Sequence, residues 1–148
     1  MIKLIISGNP ISSKNAIRSG ITKLGRNYTY VKKDIKEYRD NSLIELRAQK
    51  AKLYYTNWFI EKYKNLHLPI ESFVEVSFLF YCKDNRKRDL INLCQCPCDL
   101  LQQANIILND YLIISIDGSR IMPPDKDNPR TEIFIKILDK DNKWKINI

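Results

Sequence analysis

No stretch of this sequence approaches the ~20 consecutive apolar residues that a membrane-spanning helix needs. The opening Met1-Ile2-Lys3-Leu4-Ile5-Ile6 is too short for a secretory signal and reads as a first strand. These absences predict a cytoplasmic protein with no membrane partner. Histidine is nearly missing: His67 stands alone before Leu68-Pro69, reads as a surface or loop residue, and leaves no Ser-His-Asp arrangement to assemble. The four cysteines do not make a disulfide framework, because three of them crowd into Cys94-Gln95-Cys96-Pro97-Cys98, a spacing that fits reduced thiols. With Cys82 they match the number of ligands in a structural zinc site. On a helix, however, Cys94 and Cys98 share a face while Cys96 points roughly 200° away, so buried small hydrophobes are the better reading and a zinc module the weaker one. No internal repeat and no linker composition divides the chain, which predicts one domain over 1–148 with a patternless tail at 139–148.

Basic side chains are abundant. Lys and Arg number 25 against 17 Asp and Glu, a formal net charge of +8. Such an excess favours a polyanionic partner, since neutralising phosphates releases counterions, and it points to nucleic acid if the charges are gathered on one surface. The 44% hydrophobic content is enough for a core in a chain of 148 residues.

Hydrophobic periodicity orders the elements. Ile2 to Ser7 is β-branched and is broken by Gly8-Asn9-Pro10. Residues 11–26, with Ser12, Lys14, Arg18, Lys23 and Arg26 among isolated apolar residues, read as a mobile basic loop; 28–31 is a short strand. From 33 to about 64 the chain lacks Gly and Pro, and Ile35, Tyr38, Leu43, Leu46 and Leu53 fall at helical spacing. Its cations Lys32, Lys33, Lys36, Arg39 and Arg47 read as a solvated face that could extend a DNA-binding surface. The aromatic stretch Tyr54, Tyr55, Trp58, Phe59 and Tyr63 reads as core or dimer packing rather than base stacking. The run 73–81 is the strongest strand signal and belongs in the centre of a sheet. A basic turn, Arg86-Lys87-Arg88, then precedes a helix at 90–104 in which Pro97 removes one donor and could introduce a kink. Two more strands follow at 112–116 and 131–138. The pattern predicts an α/β domain with a mixed β-sheet flanked by helices.

Four carboxylates, Asp89, Asp99, Asp110 and Asp117, fall in one neighbourhood. On a helix Asn92, Gln95 or Cys96, and Asp99 form a polar stripe with Asp89 above it. Hydrolysing a phosphodiester with Mg²⁺ calls for oxygen ligands of this kind beside phosphate-binding Lys or Arg. The plainer reading makes Asp89 a helix cap, Asp99 a solvated residue and Asp110 a turn residue.

The run Arg88-Asp89-Leu90-Ile91-Asn92-Leu93, then Asp99-Leu100-Leu101, then Ala104-Asn105-Ile106-Ile107-Leu108-Asn109-Asp110 resembles the core of the RusA-type Holliday junction resolvases, as a divergent, phage-like member. Upstream, Asn9-Pro10-Ile11-Ser12-Ser13-Lys14-Asn15 resembles that family's loop after strand one, and Tyr38-Arg39-Asp40 its first helix. Asn128-Pro129-Arg130-Thr131-Glu132-Ile133 resembles a closing strand of phage-type members. The resemblance implies a homodimeric, Mg²⁺-dependent endonuclease, with Mn²⁺ as a substitute, that makes paired cuts in four-way DNA junctions. It implies Asp89 and Asp110 as metal ligands with Asn109 beside them, and Asp99 as a supporting catalytic acid. Lys14, Asn15, Arg86, Lys87, Arg88 and Gln95 would contact DNA. Three positions depart from the family pattern: Ile91 replaces a second Asp, Gln95 a Lys, and Asn109 the first Asp of a pair. Either Gln95, Asp99 and Asn109 complete a rearranged site, or the protein binds junctions or duplex without cutting them.

Overall fold

The computed structural model describes residues 1–12, 17–55 and 67–138. The expected extension of the first helix to 64, with Trp58, Phe59 and Tyr63, and the tail at 139–148 lie outside the described residues. The elements run β1 (Ile2–Ser7), β2 (Ile17–Ile21), β3 (Asn27–Val31), α1 (Lys33–Tyr54), β4 (Val74–Tyr81), α2 (Leu90–Gln103), a 3-10 turn at Asp110–Leu112, β5 (Ile113–Ser115), β6 (Arg120–Ile121) and β7 (Arg130–Ile137). The main sheet has the order β1-β7-β4-β5, with β6 also pairing β4. β7 is antiparallel to both β1 and β4, whereas β5 and β6 run parallel to β4. This is the mixed α/β sheet that the pattern predicts, with β4 in its interior.

Register explains the core. Ile2, Leu4 and Ile6 face Ile135, Ile133 and Thr131, which in turn face Val76, Phe78 and Phe80. Alternation puts all of these on one side of the sheet, where they are buried with Leu46 of α1 and Leu93, Cys94, Cys96, Leu100 and Leu101 of α2. Both helices therefore cover the same face. Cys82, Cys94 and Cys96 are buried and form no disulfide, in keeping with their reading as small hydrophobes, and α2 continues through Pro97. The other face carries Lys3, Glu132, Arg130 and Tyr81. There Glu132 takes ion pairs from Lys3 and Arg130, and the Arg130 guanidinium lies 3.7 Å over the Tyr81 ring.

Two expectations are corrected. Residues 11–26 are not all loop: β2 lies within them and pairs with β3 in a two-stranded sheet of its own. It escapes a hydrophobic-pattern reading because neither of its faces is buried, so no alternation is imposed on its sequence. The strand expected at 112–116 is shorter, since Leu112 closes the 3-10 turn. β6, only two residues long, was not anticipated.

β1 is an edge strand, and side chains of α1 pair with its outer backbone groups at Ile5 and Ser7. The Gln49 amide donates to the Ile5 carbonyl at 2.6 Å and accepts from the Ile5 N–H at 2.8 Å, while Glu45 accepts from the Ser7 N–H at 2.7 Å. The side chain thus stands in for a neighbouring strand. Gln49→Leu should lower unfolding free energy by about 1–3 kcal/mol, the cost of leaving partly buried backbone groups unpaired. An unchanged urea midpoint would contradict this role.

Candidate nucleic-acid and metal site

Two segments far apart in sequence meet at the start of α2. After β1, Gly8 adopts φ +96 and its N–H bonds the Pro129 carbonyl, which turns the chain. The Asn9 side chain then accepts the Lys83 N–H at 2.9 Å. Beside this clamp lies a cleft of about 300 Å³ bounded by Pro10, Ser12, Lys87, Arg88, Asp89 and Asn92. Lys14 and Asn15, expected to contact DNA from the same loop, lie outside the described residues.

The basic turn divides its charges. Asp84 accepts from Arg86 Nε and Nη2 at 3.0 and 2.8 Å and from Arg88 Nη2 at 2.6 Å, and these hydrogen bonds hold its carboxyl well below the usual carboxylate range. Arg88 also donates to the Asp84 and Arg86 carbonyls, and its side chain is only 14% exposed. Arg88 is thus a brace for the turn, Arg86 shares its charge with Asp84, and Lys87 is exposed at the cleft. Asp89 caps α2 by accepting the Asn92 N–H at 3.1 Å, which is its plainer reading and uses one carboxylate oxygen.

The far end of α2 holds the other acids. Asn105 at φ +54 ends the helix, with its N–H on the Gln102 carbonyl and the Ile106 N–H on that of Leu101. The turn buries Ile106 and Ile107 and brings the chain back so that the Asp110 N–H reaches Gln102 Oε1 at 3.1 Å. Asn109 uses its amide oxygen to accept the Tyr111 N–H. Asp99 stands here, 3.8 Å from Arg39. Burial raises its pKa, Arg39 opposes the rise, and the charge of Asp110 adds to it. The Cys98 thiol is pushed up to about 12 by burial first, then by Cys94 and by these two carboxylates, so it stays neutral.

Asp99 and Asp110 are thus near enough for their charges to interact, while Asp89 stands roughly 15 Å up the helix from Asp99 at 1.5 Å per residue. Ligands of one Mg²⁺ sit about 2.1 Å from it, so Asp89 and Asp99 of one protomer cannot share a cation. Among the described residues no three His, Cys, Asp or Glu side chains converge on a metal position. Two carboxylates do fit Mg²⁺, which keeps several of its waters, and their mutual repulsion is what a cation would relieve. Ile91, 59% exposed, and exposed Gln95 lie on the helix between cleft and acidic pair. Sequence reasoning did not foresee the tie between Arg39 and Asp99, because their separate helices meet only through packing. No protein-family model matches the chain, and no characterised protein matches it.

The coupling is measurable. Arg39→Ala should raise the Asp99 titration midpoint and Asp110→Asn should lower it, read by NMR of the carboxyl carbons. Because the folded pKa of Asp99 is raised, its stabilising contribution belongs to the protonated form: it is present at low pH and lost as pH rises through the folded value. Wild type should therefore lose stability relative to Asp99→Asn across that window, and parallel pH profiles would contradict the assignment.

Proposed function

We propose that the protein binds branched or duplex DNA along α2 and cuts it as a Mg²⁺-dependent endonuclease of the RusA type. The observation that carries this reading is the cleft in which Pro10 and Ser12 of the first segment of the resemblance face Arg88, Asp89 and Asn92 of the second, beside the Asn9 to Lys83 hydrogen bond. Lys87, exposed at the cleft, offers a phosphate contact there, while the start of α2 is already capped by the Asp89 carboxylate. Asp99 and Asp110, at the other end of the helix, would hold the cation. The chemistry that Mg²⁺ supplies when bound is water activation and charge neutralisation at phosphate. Duplex DNA rises 3.4 Å per step, so about four base-pair steps laid along α2 connect the phosphate contact with the acidic pair. Paired cuts in a four-way junction need two sites related by a two-fold axis, and the proposal includes a homodimer.

A second reading, junction or duplex binding without cleavage, is favoured by one observation. The position where the family pattern has its second Asp is the exposed Ile91, and Asp89 already spends an oxygen on capping.

Cleavage of a synthetic four-way junction with and without Mg²⁺ or Mn²⁺ separates the two. For a nuclease, Asp99→Asn and Asp110→Asn should each lower cleavage by about 100-fold or more, the scale of losing several kcal/mol of charge stabilisation, and leave binding intact. If wild type cuts with no divalent ion, binding alone remains. Lys87→Ala should weaken binding uniformly across sequences and reduce the salt slope by about one.

A further inference from the structure

The β2–β3 hairpin stands apart from the main sheet and from the core. A lone two-stranded hairpin is marginal in water and gains stability from whatever covers it. Its register sets Arg18 opposite Tyr30 and Gly20 opposite Tyr28, so these four residues share one face. The two tyrosine rings lie 5.8 Å apart, tilted by 30°, and each residue is 48% exposed. Tyr28 is seated across Gly20: a Cβ there would fall 2.7 Å from the ring Cζ, so the glycine is what lets the ring lie flat against the opposite strand. The same strands line an open concavity of about 580 Å³ that includes Gly20, Asn27 and Tyr28.

Charge identifies the occupant. Before Asp34 the sequence has no carboxylate side chain, yet it carries seven Lys and Arg, five of them within residues 17–33. A second copy of the hairpin would bring cation against cation, whereas a polyanion would be attracted. Aromatic faces add little to the outside of a duplex, whose bases are stacked on each other, but they hold unpaired bases whatever their sequence.

We infer that the β2–β3 hairpin is a binding site for unpaired nucleotides, with Tyr28 and Tyr30 as stacking platforms and Arg18, Lys23 and Arg26 as phosphate contacts. This rests on the DNA-binding reading and specifies which part of a branched substrate the protein senses. A junction offers such nucleotides where its arms meet and base pairs open.

The test is fluorescence anisotropy with labelled oligothymidylate, a fully paired duplex of equal length and a four-way junction, at one salt concentration. Replacing both Tyr28 and Tyr30 by Ala should weaken oligothymidylate binding by about 10-fold or more per ring, the size of base–aromatic stacking. Duplex affinity should stay within about twofold. The Tyr28→Phe, Tyr30→Phe pair should bind like wild type, because the ring and not the hydroxyl makes the stack. Since the hairpin lies outside the core, the urea midpoint of all three proteins should agree. Several results overturn the inference: equal oligothymidylate affinity in the Ala pair, equal loss in the Phe pair, or a wild-type dimer that the Ala pair turns into a monomer, which would make the face a self-contact. A wild type that binds duplex and junction but not oligothymidylate removes this site and leaves the DNA-binding reading standing. Failure to bind any of the three removes both.

Discussion

The insertion of β7 between β1 and β4 is the constraint on which the rest of the structure depends. Because β7 is antiparallel to both, β1 and β4 point the same way and end in line, with Ser7, Arg130 and Tyr81 side by side. The segments that leave β1 and β4 therefore emerge at one end of the sheet. There the Asn9 side chain can meet the Lys83 backbone, and the start of α2 can face Pro10 and Ser12. Arg130 stabilises this end from the opposite face, through Asp125, Glu132 and the Tyr81 ring. The cleft is a product of strand order before it is a product of any local motif.

Where burial imposes a period, the sequence is readable. The alternation of Val74, Val76, Phe78 and Phe80 marks an interior strand, and Leu93, Cys94, Cys96, Leu100 and Leu101 mark the inner face of α2. Burial does not write a pattern into β2, whose Ile17 and Ile21 are about two-thirds exposed or more, at 68% and 71%. A hairpin could still have been sought from the turn at Gly25, whose φ of +74 and N–H bond to the Thr22 carbonyl close it. The candidate site was legible in part. Asp89, Asp99 and Asp110 stand out as a neighbourhood in the sequence, but which two come near each other is decided by the left-handed turn at Asn105. The inward fold of Arg88 is likewise set by Asp84, four residues earlier. Runs of basic residues give a charge and leave open which members are already paired within the protein.

That pairing matters for the functional account. Arg39, Arg86, Arg88 and Arg130 are tied to Asp99, Asp84 and the Asp125–Glu132 pair, so much of the arginine charge organises the fold. The cations left facing solvent include Lys87 at the cleft and Arg18, Lys23 and Arg26 of the hairpin, together with Lys36, Arg47 and Lys52 of α1 and Lys83, Arg120 and Lys126. Of these, Lys87 and the hairpin cations are the ones that the proposed reading assigns to different parts of one branched nucleic acid.

The central claim is that DNA engages the start of α2 and the hairpin together. The most direct measurement is an amide NMR titration of the isotopically labelled protein with a four-way junction. The account predicts shifts at Ser12, at Lys87 through Leu93, and along Ile17–Ile21 and Asn27–Val31, with the amides of β1 and β7 at Lys3 and Glu132 unmoved. Shifts confined to the Lys3–Glu132 face, with the α2 start and the hairpin silent, would contradict it.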